Sequence, residues 1–564
     1  MKWMIKTLAF AMIISGTLTG LAQSQEVITG RVTDGVLHIV GARVMILADT
    51  VWTITDQDER FSLQVDRYPG DPVPVMVGKK GWLNGGWEIG KGERNVELTL
   101  DAVPNRDNPG YRWIDPAPAG GGMMGMMGGA NNGACGNCHA NYYDRWRQST
   151  MATTTTNQWV LDQHETAGKV SDTCADCHAP AAAVHSPGKT DLARVASRGG
   201  VEAKGVFCDV CHKVQDVEVG IKPGVQAMQF NRQGGAPVRM GMMRMNAVFA
   251  YGPLADVVTS PMSPSYHPLY ESSAYCSSCH LDGRELPAGK TWDYRSVYPD
   301  ASGEAFDRGS VVPNQWTYQE WKNWQDGLEE GAPNKGQTCQ DCHMTWTKEM
   351  LPYDEFIVEG RGHMMPRMMQ NFGIRRAPST LHPHTFEGAT ADRLHNSAYV
   401  YLQPTVSENR LSATISMTNT NTGHRLPTGV TFRNMLLIVR AVDSTGSILE
   451  LAEGPIIPEW GGVGSPGDGN YAGLPGVGYA RITADDQGNI NVPFWEATKI
   501  VSDNRLRPRE QDANTFVFDL SGATGYIEVT AILLYRKAFK PMAKRYGWDT
   551  GDFVMEEQSE VIYR

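Results

Sequence analysis

Ten cysteines stand in this chain, and all ten fall into five copies of one spacing, Cys-x-x-Cys-His. The copies are Cys135, Cys138 and His139; Cys174, Cys177 and His178; Cys208, Cys211 and His212; Cys276, Cys279 and His280; and Cys339, Cys342 and His343. On a helical turn, sulfurs three residues apart share a face, where they can trap the two vinyl groups of one porphyrin as thioethers. The residue that follows then offers its imidazole to the iron. This is the attachment signature of c-type haem. Disulfides would use ten cysteines but need no histidine after every second one. Zinc sites built from C-x-x-C pairs would form two four-thiolate centres and strand the fifth pair. The pattern therefore predicts five covalently attached haems, with His139, His178, His212, His280 and His343 as proximal iron ligands.

Nine other histidines remain: His38, His164, His185, His267, His363, His382, His384, His395 and His424. They are enough to give each iron a second imidazole. An iron closed by two histidines passes electrons and does little bond chemistry, whereas an open sixth position suits catalysis on a small ligand.

The elements that must hold these residues divide by composition. At 564 residues the chain is long enough for three or four domains. Residues 1–24 read as a signal peptide, with Lys2 and Lys6 ahead of an apolar stretch from Leu8 to Leu21 and the small residues Ala22 and Ser24 at the cleavage positions. No other apolar run is long enough to span a bilayer, so the expected mature chain has no transmembrane segment. The formal charge is −11, and loss of Lys2 and Lys6 with the leader takes it to −13. An anionic surface of this kind argues against nucleic acid.

Residues 25–105 form the first expected domain, a β-sandwich. Apolar and polar residues alternate in 26–32, 43–47 and 60–65, which predicts strands there. The stretch resembles the carboxypeptidase regulatory-like domain through Gly30 and Val32, Gly41, Ala42 and Val44, and Thr55, Asp56, Arg60 and Phe61. In that family the module is structural, so His38 reads as a sandwich histidine. A linker follows, with a glycine- and methionine-rich run at 120–129. Residues 106–397 form the expected haem domain, irregular and mostly helix and loop, with a short helix at each attachment site and a longer one from Thr317 through Trp324. Residues 398–564 form a second expected β-sandwich, with strands at 411–417, 435–440, 515–520 and 526–535.

The haem region resembles the multihaem cytochromes related to cytochrome c554. The likeness rests on Gly205 through Cys208, Asp209 and His212; on His267, Pro268, Tyr270 and Ser272 ahead of Cys276; on Thr317, Glu320 and Trp321 ahead of Cys339, Gln340, His343 and Met344; on His384, Phe386 and Gly388; and on Gly423, His424, Pro427, Asp503, Arg505 and Arg536. It covers roughly residues 130–564. It implies electron transfer, attachment of the haems outside the cytoplasmic membrane, and hence a periplasmic or cell-surface location. It also implies His267, His384 and His424 as distal ligands, with His382 competing with His384. His164 and His363 complete the histidine candidates. Met151 stands where this family often carries histidine; it reads either as an axial ligand that raises the potential or as a packing methionine. The Cys-x-x-Cys-Lys variant of ammonia-forming nitrite reductases is absent, which counts against that class.

Three methionine clusters, at 123–127, 240–245 and 364–369, offer thioethers suited to copper(I). Soft packing against haem faces is the preferred account, and copper is kept as the secondary one. The leading expectation is thus an exported pentahaem electron relay between redox partner proteins. A reductase or oxidase of a small nitrogen or sulfur compound at one open haem is the second. A surface or filament subunit, forming a homo-oligomer or a membrane-associated redox complex, is the third.

Overall fold

The computed structural model describes residues 26–65, 72–90, 92–118, 134–235, 237–240, 243–246, 248–258, 262–299, 309–346, 357–359 and 374–563. The expected signal peptide, the 120–129 run, His363 and the methionines at 364–369 lie outside the described residues, as do the side chains of the 240–245 cluster. The described residues pack as two compact units, one from 26–102 with 255–258 and the other from 103–254 with 262–563.

The first unit follows from period-two patterning. Its strands are β1 (Val27–Thr33), β2 (Arg43–Ile46), β3 (Trp52–Ile54), β4 (Arg60–Gln64), β5 (Val73–Gly78), β6 (Gly85–Ile89) and β7 (Val96–Thr99). In β4, Phe61 and Leu63 point inward while Arg60, Ser62 and Gln64 face solvent. A three-stranded sheet in the order β4-β1-β7 and a four-stranded sheet in the order β3-β2-β5-β6 share one core. That core takes Ile28, Phe61, Leu63 and Leu98 from the first sheet and Val44, Ile46, Val75 and Val77 from the second. The buried Thr55 hydroxyl is satisfied twice, donating to the Ile39 carbonyl at 2.6 Å and accepting from the Ala42 N–H at 2.8 Å. His38 bridges to Thr33 and lies 3.5 Å from Glu59.

The second unit ends in two sheets packed face to face. Its long strands are β8 (Ala398–Ser407), β9 (Arg410–Asn419), β10 (Asn434–Asp443), β11 (Leu451–Glu453), β12 (Gly476–Ala484), β13 (Lys499–Asp503), β14 (Gln511–Asp519), β15 (Ile527–Arg536) and β16 (Asp552–Ile562). One sheet runs β8-β9-β14-β11 and the other β13-β12-β10-β15-β16. Val400, Leu411, Ile415, Phe516 and Phe518 from the first meet Leu437, Val439, Val529, Ala531 and Leu533 from the second, all at 0–1% exposure. Among the described residues between 134 and 397 regular structure is short. Helices of four to seven residues dominate, with a ten-residue helix at Thr317–Asp326 and two-stranded pairings such as Val248–Gly252 with Met262–Tyr266. Among the described residues no helix is long and apolar enough to cross a membrane.

Leu437 is fully buried between the two sheets of the second unit. Leu437→Ala should lower stability by about 2–5 kcal/mol, since the cavity adds to the lost transfer energy. Chemical denaturation followed by far-ultraviolet circular dichroism reads this directly, and an unchanged midpoint would contradict the shared core.

Candidate functional site

Each of the five Cys-x-x-Cys-His stretches lies on a helical turn: Cys135–Cys138, Cys174–His178, Cys208–Cys211, the end of Ala274–His280, and Cys339–His343. The turns close locally. The His139 N–H reaches the Cys135 carbonyl at 2.9 Å, and the His212 N–H reaches that of Cys208 at 2.9 Å. The fifth turn carries a capping box, in which Thr338 accepts from the Asp341 N–H and Asp341 accepts from the Thr338 N–H.

The turns touch one another. Cys208 lies close enough to Cys135, Cys279 to Cys177 and Cys339 to Cys276 to push the thiols of Cys135, Cys177 and Cys276 up. Tyr270 and Tyr275, which precede the fourth turn, both donate to the Cys211 carbonyl of the third, at 2.6 and 2.9 Å. The Cys339 N–H donates to the Ser273 hydroxyl at 2.9 Å. The first turn thus lies on the third, the third on the fourth, and the second and fifth both on the fourth.

Two of the motif histidines face a second imidazole. His343 and His424 have ring centroids 6.2 Å apart with planes 11° from parallel, and His212 and His384 are 6.2 Å apart at 23°. Both pairs are near-parallel but much wider than the close stack of Trp159 and Trp548, which sit at 4.5 Å and 6°. A metal ion bound by one nitrogen of each ring, with bonds of about 2 Å and about 1.1 Å from nitrogen to ring centre, sets centroids about 6 Å apart. The residues present therefore fit an iron held between two imidazoles at both places.

Charge agrees at all four rings and tautomer at three, since the buried Nδ1 of His384 has no hydrogen-bond partner among the described residues. Nδ1 of His212 lies 2.6 Å from the Tyr251 carbonyl, Nδ1 of His343 lies 2.5 Å from that of Glu387, and Nδ1 of His424 lies 2.9 Å from that of Arg425. A carbonyl can only accept, so Nδ1 carries the proton, and a neutral ring then leaves the Nε2 lone pair for a metal. Burial keeps the rings neutral. It pushes His139, His178 and His343 down to about 4 and His384 to about 3. His280 and His424 are also lowered, again chiefly by burial.

The remaining candidates are placed differently. His280 has the Gln315 side-chain amide 2.5 Å from Nδ1. The buried Nδ1 of His178 has no hydrogen-bond partner among the described residues. His267 is 1% exposed, faces Tyr251 and Tyr270, and accepts the Leu269 N–H at Nδ1, the reverse of the arrangement at His212. His164 lies 3.2 Å from Asp191. His382 sits at the fifth turn, 3.6 Å from Asp341. Met151 is half-buried against a cluster of Trp113, Trp146, Phe207 and Val210.

Two constructions hold the site that residue types alone did not reveal. Residues 104–116 form a strap. Asp107 pairs with Arg232, Tyr111 donates to Asp209 at 2.9 Å, the Trp113 indole donates to the Ala181 carbonyl at 2.9 Å, and the Gly136 N–H reaches the Pro116 carbonyl at 2.9 Å. The second is a buried charge network. Glu320 meets Arg481 at 3.0 Å and Arg505 at 2.8 Å, and Arg505 meets Asp503 at 2.7 Å. Burial alone would push the two carboxyls up, but the arginines outweigh it and hold both below the usual carboxylate range. Glu320, Asp503 and Arg505 belong to motifs quoted above. Arg481 carried no signal, being one arginine in a strand.

Comparison with known proteins adds three findings. Residues 134–213 match the family described as cytochrome c554 and c-prime. That stretch carries the first three Cys-x-x-Cys-His motifs. A solved penta-heme cytochrome c552 from Thermochromatium tepidum is similar at 20% identity, over 76% of this chain and 97% of that one, with a TM-score of 0.49. No curated protein matches the chain.

The network has a pH signature. Both carboxyls are depressed in the folded state, so their contribution is complete above the unfolded values of about 4 and is lost as pH falls through that range toward the folded ones. Thermal stability should therefore fall steeply below pH 5. Asp503→Asn, which strands buried arginines, should cost about 3–5 kcal/mol at pH 7 and flatten the acid limb. Melting scans from pH 7 to 3 on both proteins check this, and parallel curves would refute it.

Proposed function

We propose that this chain is an exported pentahaem c-type cytochrome that relays electrons between redox partner proteins. The carrying observation is the mutual contact of the five attachment turns. Turns tied to one another by the Tyr270 and Tyr275 hydroxyls on the Cys211 carbonyl and by the Cys339 N–H on Ser273 would bring covalently attached rings within a short hop, as a relay requires. When bound, each haem supplies an iron that changes oxidation state by one electron.

Everything else is the work of the chain. The ten cysteines tether the rings. His139, His178, His212, His280 and His343 would hold the irons, and His384 and His424 would supply a second imidazole to those of His212 and His343. The carbonyls of Tyr251, Glu387 and Arg425 hold the Nδ1 protons, so that Nε2 presents its lone pair and the ring stays oriented. Burial keeps the imidazoles neutral and water away, which limits the reorganisation that each change of charge demands. His267 is retained as a distal candidate, given its burial beside the third and fourth turns. Residues 1–24 direct export, and the anionic chain suits a basic or neutral partner surface.

Mass spectrometry of the matured protein should show five haem additions on the chain cleaved after its leader. Electron paramagnetic resonance should show low-spin iron. His384→Ala and His424→Ala should each convert one low-spin iron to high-spin and open it to carbon monoxide. A colourless product, or a mass equal to the amino acids alone, would end this reading.

A further inference from the structure

We infer that the Thr317–Asp326 helix is the jig that sets the His343–His424 pair, with Glu320 and Trp324 as positioning residues for His424. The inference rests on the reading of His424 as the axial partner of His343.

His424 sits in the loop between β9 and β10, with no regular structure of its own. Glu320 and Trp324 are four residues apart and so share one face of the helix. Both press on this loop, on either side of His424. A carboxylate oxygen of Glu320 accepts the Arg425 N–H at 3.2 Å and the Thr428 hydroxyl at 2.7 Å. On the other side Trp324 lies so close to Gly423 that a Cβ there would stand 2.5 Å from the indole ring. Only glycine lets the loop lie so near the helix. The loop is also tied behind, since Arg505 donates to the Pro427 carbonyl at 3.1 Å while pairing with Glu320.

The same helix fixes the proximal partner. The Trp321 indole donates to the Gln337 carbonyl at 3.0 Å, and the Gln325 side chain accepts the Gly336 N–H at 2.8 Å. Residues 336 and 337 lead directly into Cys339–His343. One rigid element thus grips both the approach to His343 and the loop of His424, and their separation follows from side chains on a single helix. Glu320 has a second consequence. Arg481 and Arg505 pair with Glu320 and Asp503, and Arg425 is near enough to help hold both carboxyls low, so removing the Glu320 charge leaves three guanidinium groups near one carboxylate beside the His424 loop.

The test uses the haem-loaded full-length protein, read by electron paramagnetic resonance, carbon monoxide binding and redox titration. His424→Ala gives the signature of the lost partner. Gly423→Ala, which pushes the loop off the indole without touching charge, should reproduce that signature in whole or part. Adding Trp324→Leu should restore the low-spin signal, because the smaller side chain makes room. Glu320→Gln should shift the potential of the same iron upward and leave the His212–His384 signal unmoved. If Gly423→Ala and Glu320→Gln both leave spin state and potential as in the parent while His424→Ala changes them, the helix does not position the ligand and the inference falls. If His424→Ala changes nothing, the axial assignment falls and the inference with it. Should Glu320→Gln not accumulate, the Gly423→Ala arm and its rescue decide alone.

Discussion

The site depends on imidazoles buried so deeply that they stay neutral and yet aimed so that a ring nitrogen remains available. Burying a polar ring nitrogen without a partner costs about 1–3 kcal/mol. At His212, His343 and His424 the chain meets half of that demand with a main-chain carbonyl at Nδ1. The other half, at Nε2, is what a metal would satisfy. Neutrality and direction are therefore set by one arrangement. Burial lowers the affinity for a proton, and the carbonyl chooses which nitrogen keeps the one that is left.

That demand explains why the region from 134 to 397 carries so little regular structure. A carbonyl can serve as a ring anchor only where it is not already committed to a helix or an inner strand. Tyr251 lies in a two-stranded pairing, and Glu387 and Arg425 lie in loops. The strap at 104–116 works on the same principle. It adds a buried polar seam beside the Trp113 face packed on Phe207, with Asp209 accepting from both the Tyr111 hydroxyl and the Ile114 N–H at 2.9 and 2.8 Å. Lys213, adjacent to His212, is wholly buried there, 3.5 Å from Asp209 and over the rings of Tyr111 and Phe249. Short helices, aromatic hydroxyls and satisfied charges work here alongside small apolar clusters, where the two β regions rely on larger hydrophobic cores.

This division decides what could be read from residues alone. The strands were legible because a sheet with one buried face forces period two, and the observed bounds at 27–33, 43–46, 60–64, 410–419 and 527–536 overlap the expected ones closely. The attachment turns were legible because covalent chemistry fixes both residue type and spacing. The ring anchors were not, since Tyr251, Glu387 and Arg425 act through carbonyls that any residue would supply. His267 shows the complementary limit. Its neighbourhood in sequence suggested a ligand, but which nitrogen keeps the proton depends on the Leu269 N–H two residues on. Arg481 illustrates a third case. A lone arginine in a strand reads as a solvated residue, and only the fold brings it to Glu320, 161 positions away in the chain.

The charge network also accounts for the compactness of the second unit, which runs from 103 onward except for 255–258. Glu320 comes from the region of the attachment turns, and Arg481, Asp503 and Arg505 come from β12, β13 and the turn that follows. An ion pair at a wet boundary would contribute little and would let the two regions move apart. Here every member is at most 5% exposed, so separating the regions would leave charges uncompensated in a poorly polarisable interior, at a cost of several kcal/mol each. A hydrophobic seam of equal strength would tolerate sliding, because apolar contact has no preferred register. Bidentate arginine–carboxylate geometry does not. A loop that holds the His424 ring centroid 6.2 Å from that of His343 has more use for that register than for raw stability, and the network sits directly against that loop.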